Sequence, residues 1–396
     1  MFRRVYLDNS ATTPLDPEVL DAMLPFLTEK FGNASSIHYF GQETRGAVDK
    51  ARHQLAAIIN SRPNEIVFTS GGTESNNLAI RGMIESLINT TAPDKKLHII
   101  TTSIEHPAVK EVCIDLEKAG HTVTYLPVYE NGIVRTEDVI AAITEDTSLI
   151  SVMAANNEIG TLQPITEIGK IVRELRSEGR KIFFHTDAVQ AVGKITVDVE
   201  EIGCDLLSLS AHKINGPKGI GALYIRRGTR LHPQNIGGRQ ERGIRGGTEP
   251  VAQIVGLGKA AELLSTAPKS RLDNVRGLRD RLEHFVLENI PKTELNGDKK
   301  LRLPNISNIS FHGIEGEGLL INLDMNGVAV STGSACSSGS LEPSPVIRAL
   351  GGDESSARGA IRFSFGKQNT DDDLDRVLSV LPKAVETLQK LSVATK

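Results

Sequence analysis

Several residues in this chain have the types and positions needed for covalent chemistry on an amine. Lys213 follows the apolar run Ser208-Leu209-Ser210-Ala211-His212, where a strand meets a loop rich in glycine and proline (Gly216, Pro217, Gly219, Gly221). A lysine there can face a site, or it can be one more solvated surface cation. The strand pattern Lys181 to Thr186 delivers Asp187 at its carboxyl end, with Gln190 one helical step later. A carboxylate so held can pair with a pyridinium nitrogen. Upstream, the strand pattern Glu65 to Thr69 leads into Gly71-Gly72-Thr73-Glu74 and a helix. Glycines that let backbone approach, followed by a helix N-terminus, form a cradle for phosphate; the bland alternative is an ordinary turn with Thr73 as N-cap. Ser210 and His212 beside the lysine favour the anion. One phosphate site, one amine and one carboxylate add up to pyridoxal phosphate held covalently on Lys213.

His106 follows another strand end, so an imidazole can stack on the cofactor ring and move protons near neutral pH, although a lone histidine is more often structural. In Asn156-Asn157-Glu158-Ile159-Gly160, Asn157 can bond the ring hydroxyl region or the substrate, or simply shape a turn. Arg362 is a charge inside the apolar strand Ile361-Arg362-Phe363-Ser364, and a substrate carboxylate would give it an anionic partner. Cys336 lies among small residues in Ser331-Thr332-Gly333-Ser334-Ala335-Cys336-Ser337-Ser338-Gly339-Ser340. Nothing beside it can hold the thiol by packing, so the segment reads as a loop presenting one sulfur.

The elements that must position these groups are legible in outline. Strands expected over Glu65 to Thr69, Leu97 to Thr102, Thr122 to Val128, Ser148 to Ala154, Lys181 to Thr186, Asp205 to Ser210 and Ile220 to Ile225 alternate with helices over Ser75 to Leu87, Ala108 to Ala119 and Ile165 to Ser177. That alternation implies an α/β fold with a mainly parallel seven-stranded sheet between helices, its ligands beyond the carboxyl ends of the strands. After Gly246-Gly247-Thr248 the pattern turns helical, and a boundary near residue 262 separates a large domain (15–262) from a smaller α+β domain (263–396). At 396 residues, with 39% hydrophobic and 24% charged residues and a net charge of -4, the composition is that of an ordinary globular protein without a nucleic-acid footprint or a membrane segment. Arginines 226, 227, 230, 239, 242 and 245 make a local basic excess, either ordinary surface charge or a partner surface. The start lacks the apolar stretch of a secretory signal, and three well-separated cysteines without a CxxC pair argue against disulfides or zinc. A cytoplasmic location is expected.

Taken together, the segments Asp8-Asn9-Ser10-Ala11-Thr12-Thr13-Pro14, Gly71 to Asn76, Glu105-His106, Asn156 to Gly160, Asp187 to Gln190, Ser210 to Lys213, Gly219 to Tyr224 and Gly333 to Cys336 resemble the cysteine desulfurases, in that family's order and over nearly the whole chain. The long segment after Ser334 resembles the branch that serves iron-sulfur assembly. The resemblance implies a fold type I pyridoxal-phosphate homodimer, with segment 1–14 packing on the smaller domain. Lys213 would carry the cofactor, Asp187 face the ring nitrogen, Gln190 bind the ring oxygen and His106 stack on the ring. Gly72, Thr73, Ser210 and His212 would hold the phosphate, joined by Thr248 of the other subunit. Asn157 and Arg362 would bind the carboxylate of L-cysteine, and Cys336 would take its sulfur as a persulfide for an acceptor protein such as an iron-sulfur scaffold, leaving alanine. It also implies that acidic sulfur-pathway proteins dock on the first arginine cluster. The departures are small: Gly72, Val189 and Ala211 stand where alanine, threonine and glycine are frequent. A selenocysteine lyase, a same-fold aminotransferase and a non-catalytic scaffold are the rival readings.

Overall fold

The structure, a computed structural model, describes residues 4–91, 96–268, 270–332 and 343–394. Seven strands form the central sheet: β2 (Ile66–Thr69), β3 (His98–Thr102), β4 (Thr122–Leu126), β5 (Thr147–Ser151), β6 (Phe183–Asp187), β7 (Leu206–Ser210) and β8 (Gly221–Ile225), in the spatial order β2-β8-β7-β6-β5-β3-β4. Only β8 runs against the rest, pairing antiparallel with both β2 and β7. The expected mainly parallel sheet is therefore present, and the reason is visible in burial. Every residue of β3, β5 and β7 is buried, as strands covered on both faces must be. Along β2, Ile66 and Phe68 pack into one apolar cluster and Val67 into another on the opposite face, the period of two that a sheet imposes.

A third apolar cluster lies apart. It joins Leu278, Leu282 and Val286 of the helix Ser270–Asn289, Leu374, Val377 and Leu381 of the helix Asp371–Ala394, and the inward residues of β10 (Ile306–Phe311), which pairs antiparallel with β12 (Ala360–Ser364) on one side and β9 (Thr293–Leu295) on the other. Val5 and Leu7 belong to this cluster too, because β1 (Val5–Tyr6) pairs in parallel with β11 (Val328–Ala329). The position of the expected boundary, residue 262, falls inside the helix Val251–Thr266, which packs along the helices Tyr39–Ile58 and Pro17–Thr28. Sequence reasoning assigned no element to either of those two helices.

Two local expectations need correction. The helix after β2 runs from Gly72 to Thr91, longer at both ends than the expected Ser75 to Leu87, and Thr73, its second residue, is not the N-cap of the alternative reading. Strand β5 stops at Ser151, three residues short of the expected Ala154, although Val152 and Ala154 still donate to the carbonyls of His185 and Asp187 in the neighbouring β6 at 3.1 and 2.9 Å. Among the described residues no helix is long and apolar enough to cross a membrane.

Candidate active site

Strands β2, β3, β5, β6 and β7 are mutually parallel, so their carboxyl ends share one edge of the sheet. Each end delivers a residue to the same pocket of about 230 Å³: Gly72 and Thr73 after β2, His106 after β3, Asn157 after β5, Asp187 and Gln190 from β6, and Ser210, His212 and Lys213 from β7. Arg362 of β12 closes it from the other side. Ten of the expected residues thus meet in one place. Thr248 is exposed and does not line this pocket. Cys336 lies outside the described residues.

Asp187 is held by two donors, Asn76 Nδ2 at 2.7 Å on one oxygen and the Val189 N–H at 2.9 Å on the other. Both bonds still leave lone pairs on the carboxylate for a ligand. The cradle before the helix is tight. Gly71 has φ +154, and a side chain on Gly221 would come within 2.7 Å of its Cα. A Cβ on Gly72 would stand 2.8 Å from Val189 Cγ2, so the small residue at 72 and the branched one at 189 fit each other. Helix N–H groups of this first turn have no intrahelical acceptor and face the pocket with the positive end of the dipole.

His106 caps the helix Pro107–Lys118, its Nδ1 accepting the Ala108 N–H at 3.1 Å. That bond requires a lone pair on Nδ1, so the proton of the neutral ring sits on Nε2. Burial pushes the His106 pKa down; Asp187 opposes this and Lys213 adds to it. The His212 pKa is lowered to about 4 by burial and by Lys213, Lys218 and Lys194, and its Nδ1 lies 3.1 Å from Thr12 Oγ1. Both rings are neutral donors at neutral pH. Lys213, in the 3-10 turn Ala211–Lys213, donates from Nζ to the carbonyls of Ser10 and Ala11 at 2.5 and 2.8 Å. Gln190 Nε2 donates to the same Ser10 carbonyl at 3.0 Å.

Arg362 is buried. Its Nη2 pairs with Asp8 and its Nη1 bonds the Asn157 carbonyl, each at 2.8 Å. Its Nε is buried with no partner among the described residues, as are Ser10 Oγ and Asn76 Oδ1. All three belong to residues that line the pocket, where a ligand with several polar atoms would meet them. Ser10, Ala11, Asn76, Met153 and Ala155 were not anticipated as lining residues. Asn76 carried a signal, since it stands one helical turn after Thr73 on the same face of its helix.

Beneath the pocket lies a second buried acid. Glu105 accepts from Met153 N–H at 2.8 Å and Thr102 Oγ1 at 3.1 Å, and burial raises its pKa to about 8 despite those bonds, with Asp187 adding to the rise. The folded state therefore keeps a proton that the unfolded chain loses near pH 4.5, so this group costs stability as pH rises from about 5 to 8. Glu105→Gln removes that titration. Its melting temperature should gain on the wild type's by roughly 2–4 °C between pH 5 and pH 8.5; parallel pH profiles would refute a neutral Glu105.

Comparison with known proteins agrees with this geometry. Residues 5–377 match the family model described as aminotransferase class-V. The chain is 52% identical over 392 residues to a protein of Dictyoglomus turgidum named cysteine desulfurase IscS, covering 99% of this chain and 97% of that one. It is 51% identical over 388 residues to the cysteine desulfurase of Trichormus azollae, covering 98% and 94%. Among solved structures, a NifS-like protein superposes with a TM-score of 0.89 at 38% identity, covering 98% of this chain and all of that one. Another, SspA in complex with cysteine, gives 0.80 at 36% identity, covering 92% of this chain and all of its own. The chain belongs to the class-V aminotransferase family and, within it, to the cysteine desulfurases.

Proposed function

We propose that this protein binds pyridoxal 5'-phosphate and L-cysteine in the pocket at the sheet edge and passes the substrate's sulfur to Cys336. The observation that carries the reading is the convergence of Lys213, Asp187, Gln190 and His106 with a glycine cradle on one side and the guanidinium of Arg362 on the other. The pocket fits the cofactor. The helix start at Gly72 and Thr73, with Ser210 and His212, would hold the phosphate; Asp187 would keep the ring nitrogen protonated; Gln190 would donate to the ring oxygen. Bound there, the cofactor supplies an electron sink for a carbanion at the substrate's Cα.

The protein's own groups do the rest. Arg362 Nε and the amide of Asn157 orient the substrate carboxylate, while Asp8 fixes the plane of the guanidinium from its far edge. Lys213 Nζ removes the Cα proton once it leaves the Ser10 and Ala11 carbonyls. His106 Nε2–H sits where it can exchange a proton with the substrate. Cys336 thiolate then attacks the substrate sulfur: the S–S bond forms as the Cβ–S bond breaks, the electron pair goes to Cβ, and protonation there yields alanine. Incubation with L-cysteine and pyridoxal phosphate should release one alanine per subunit without reductant and continuous alanine and sulfide with it. Keto acid in place of alanine would make the protein an aminotransferase and overturn the reading; a strong preference for selenocysteine would make it a selenocysteine lyase.

Two partner readings go with this. A second copy of the chain is supported by an apolar surface over Leu20, Leu24, Leu27, Phe31, Ile37, Tyr39 and Phe40, each 42 to 90% exposed, with Phe31 stacked on Phe40 at 5.6 Å between centroids. A monomer in light scattering would exclude it. An acidic sulfur acceptor, such as an iron-sulfur scaffold, is supported by Arg227, Arg230 and Arg239, which are exposed, whereas Arg226, Arg242 and Arg245 are spent on Glu200, the Ile66 carbonyl and Glu74. Salt-independent association would tell against that surface. The three cysteines without a disulfide pattern support work in a reducing compartment such as the cytoplasm, which cell fractionation tests.

A further inference from the structure

Lys194 has no part in the chemistry above, yet its side chain reaches the cofactor-binding apparatus from behind. It lies on the turn after β6, and its Nζ donates to the Gln190 carbonyl at 3.0 Å and to Gln190 Oε1 at 3.4 Å. The other end of that carboxamide, Nε2, donates to the Ser10 carbonyl at 3.0 Å. The two ends of an amide have the same shape, so its orientation is decided by what surrounds it. A lysine only donates and a carbonyl only accepts. Both neighbours therefore select the same orientation: oxygen toward Lys194, nitrogen toward Ser10 and the pocket. One N–H is used on Ser10, and the second remains for a ligand.

We propose that Lys194 is a positioning residue: its ammonium holds Gln190 so that an N–H of the amide, and not its oxygen, is presented to the anionic ring oxygen of bound pyridoxal phosphate. This rests on the pyridoxal reading of the pocket. The surroundings give the arrangement an electrostatic edge. Lys194 and Lys213 line a common small cavity behind the pocket, with Arg271 from the helix Ser270–Asn289 and Lys367 from the loop after β12, the latter paired with Asp16. Burial and the nearby charge of Lys213 bring the Lys194 pKa down to about 7. Removing Lys194 leaves the buried Oε1 of Gln190 without this donor. Lys213 Nζ, which already shares the Ser10 carbonyl with Gln190, is then the next donor at hand, so the carboxamide is drawn toward the wrong partner.

The test compares holoenzymes of the wild type, Lys194→Met, Lys194→Gln and Lys194→Arg, measuring the dissociation constant of pyridoxal phosphate and the pH midpoint of its visible absorption. Lys194→Met should weaken cofactor binding about 10-fold, the cost of losing a bond to a charged donor. It should also move the absorption midpoint upward, because the ionised ring oxygen loses a donor and a nearby positive charge disappears. Lys194→Gln, which can still donate to Oε1 without a charge, should restore binding to within about 3-fold of wild type. In a Gln190→Ala background, Lys194→Met should not weaken cofactor binding further, and its effect on the absorption midpoint should shrink to the part due to the lost charge. Wild-type values for Lys194→Met, or an undiminished effect in the Gln190→Ala background, would overturn the proposal. If Lys194→Met does not fold, as judged by its melting curve, the Gln and Arg variants carry the comparison. Failure of the wild type itself to develop a visible band would instead refute the pyridoxal reading.

Discussion

Lys213→Ala should lower alanine formation from L-cysteine by about 10⁴-fold or more, with folding and phosphate binding retained. The size of the effect follows from two functions meeting in one atom. Nζ would be both the covalent attachment point of the cofactor and the base that takes the Cα proton, and no neighbour can replace it in either. His106 commits Nδ1 to the Ala108 N–H, and His212 has its Nδ1 against Thr12. Lys194 is the nearest rival amine, but its Nζ is directed at Gln190 and away from the pocket. The Ser10 and Ala11 carbonyls accept hydrogen bonds from the Lys213 ammonium, so these bonds must be given up when Nζ moves into the pocket. Borohydride reduction of the loaded enzyme followed by peptide mass analysis checks the assignment. The label should fall on the peptide containing Lys213 in the wild type and vanish in the variant. Label on Lys194, or more than about 1% residual turnover, would contradict it.

What could be read from the sequence, and what could not, divides along physical lines. Parallel strands send their carboxyl ends to one edge, so any sequence that alternates strand and helix announces where its side chains will meet; Gly72, His106, Asn157, Asp187 and Lys213 were all found that way. Side-chain chemistry has a residue-type signature. Backbone chemistry has none, which is why the carbonyls of Ser10 and Ala11 gave no warning that they would hold the amine of Lys213. Lys194, in the run Gly193-Lys194-Ile195, looks like any surface lysine until the fold turns its ammonium inward. The helices Pro17–Thr28 and Tyr39–Ile58 were passed over for a related reason. Their outer residues Leu20, Leu24, Leu27 and Phe40 are apolar as well as their inner ones, which blurs the periodicity that marks an ordinary surface helix. An apolar outer face hides the helix that bears it.

Cys336→Ser is the second large effect: cofactor and L-cysteine should bind as in the wild type while alanine release falls by about 10³-fold or more. The other two cysteines cannot substitute for it. Cys113 and Cys204 are both fully buried; burial pushes the Cys113 thiol up to about 12 and raises that of Cys204 as well. Neither can form a thiolate that reaches a substrate. Described residues on either side of the Cys336 segment are anchored beside the pocket. Ser331 exchanges backbone hydrogen bonds with Arg362 at 2.7 and 3.2 Å, and Ser344, which caps the helix Pro345–Ala349, donates to buried Glu158 at 2.6 Å, next to Asn157. Ser331 and Ser344 are thus tied to Arg362 itself and to the neighbour of Asn157, the two residues assigned to the substrate carboxylate. In the wild type, mass analysis after L-cysteine alone should find one added sulfur on the Cys336 peptide, removable by thiol. The serine variant should show none, and its absorption on mixing with L-cysteine should change and then stall. Sustained alanine release by that variant would mean that the sulfur leaves by another route, and the assignment of the nucleophile would fall while Lys213 and Asp187 kept theirs.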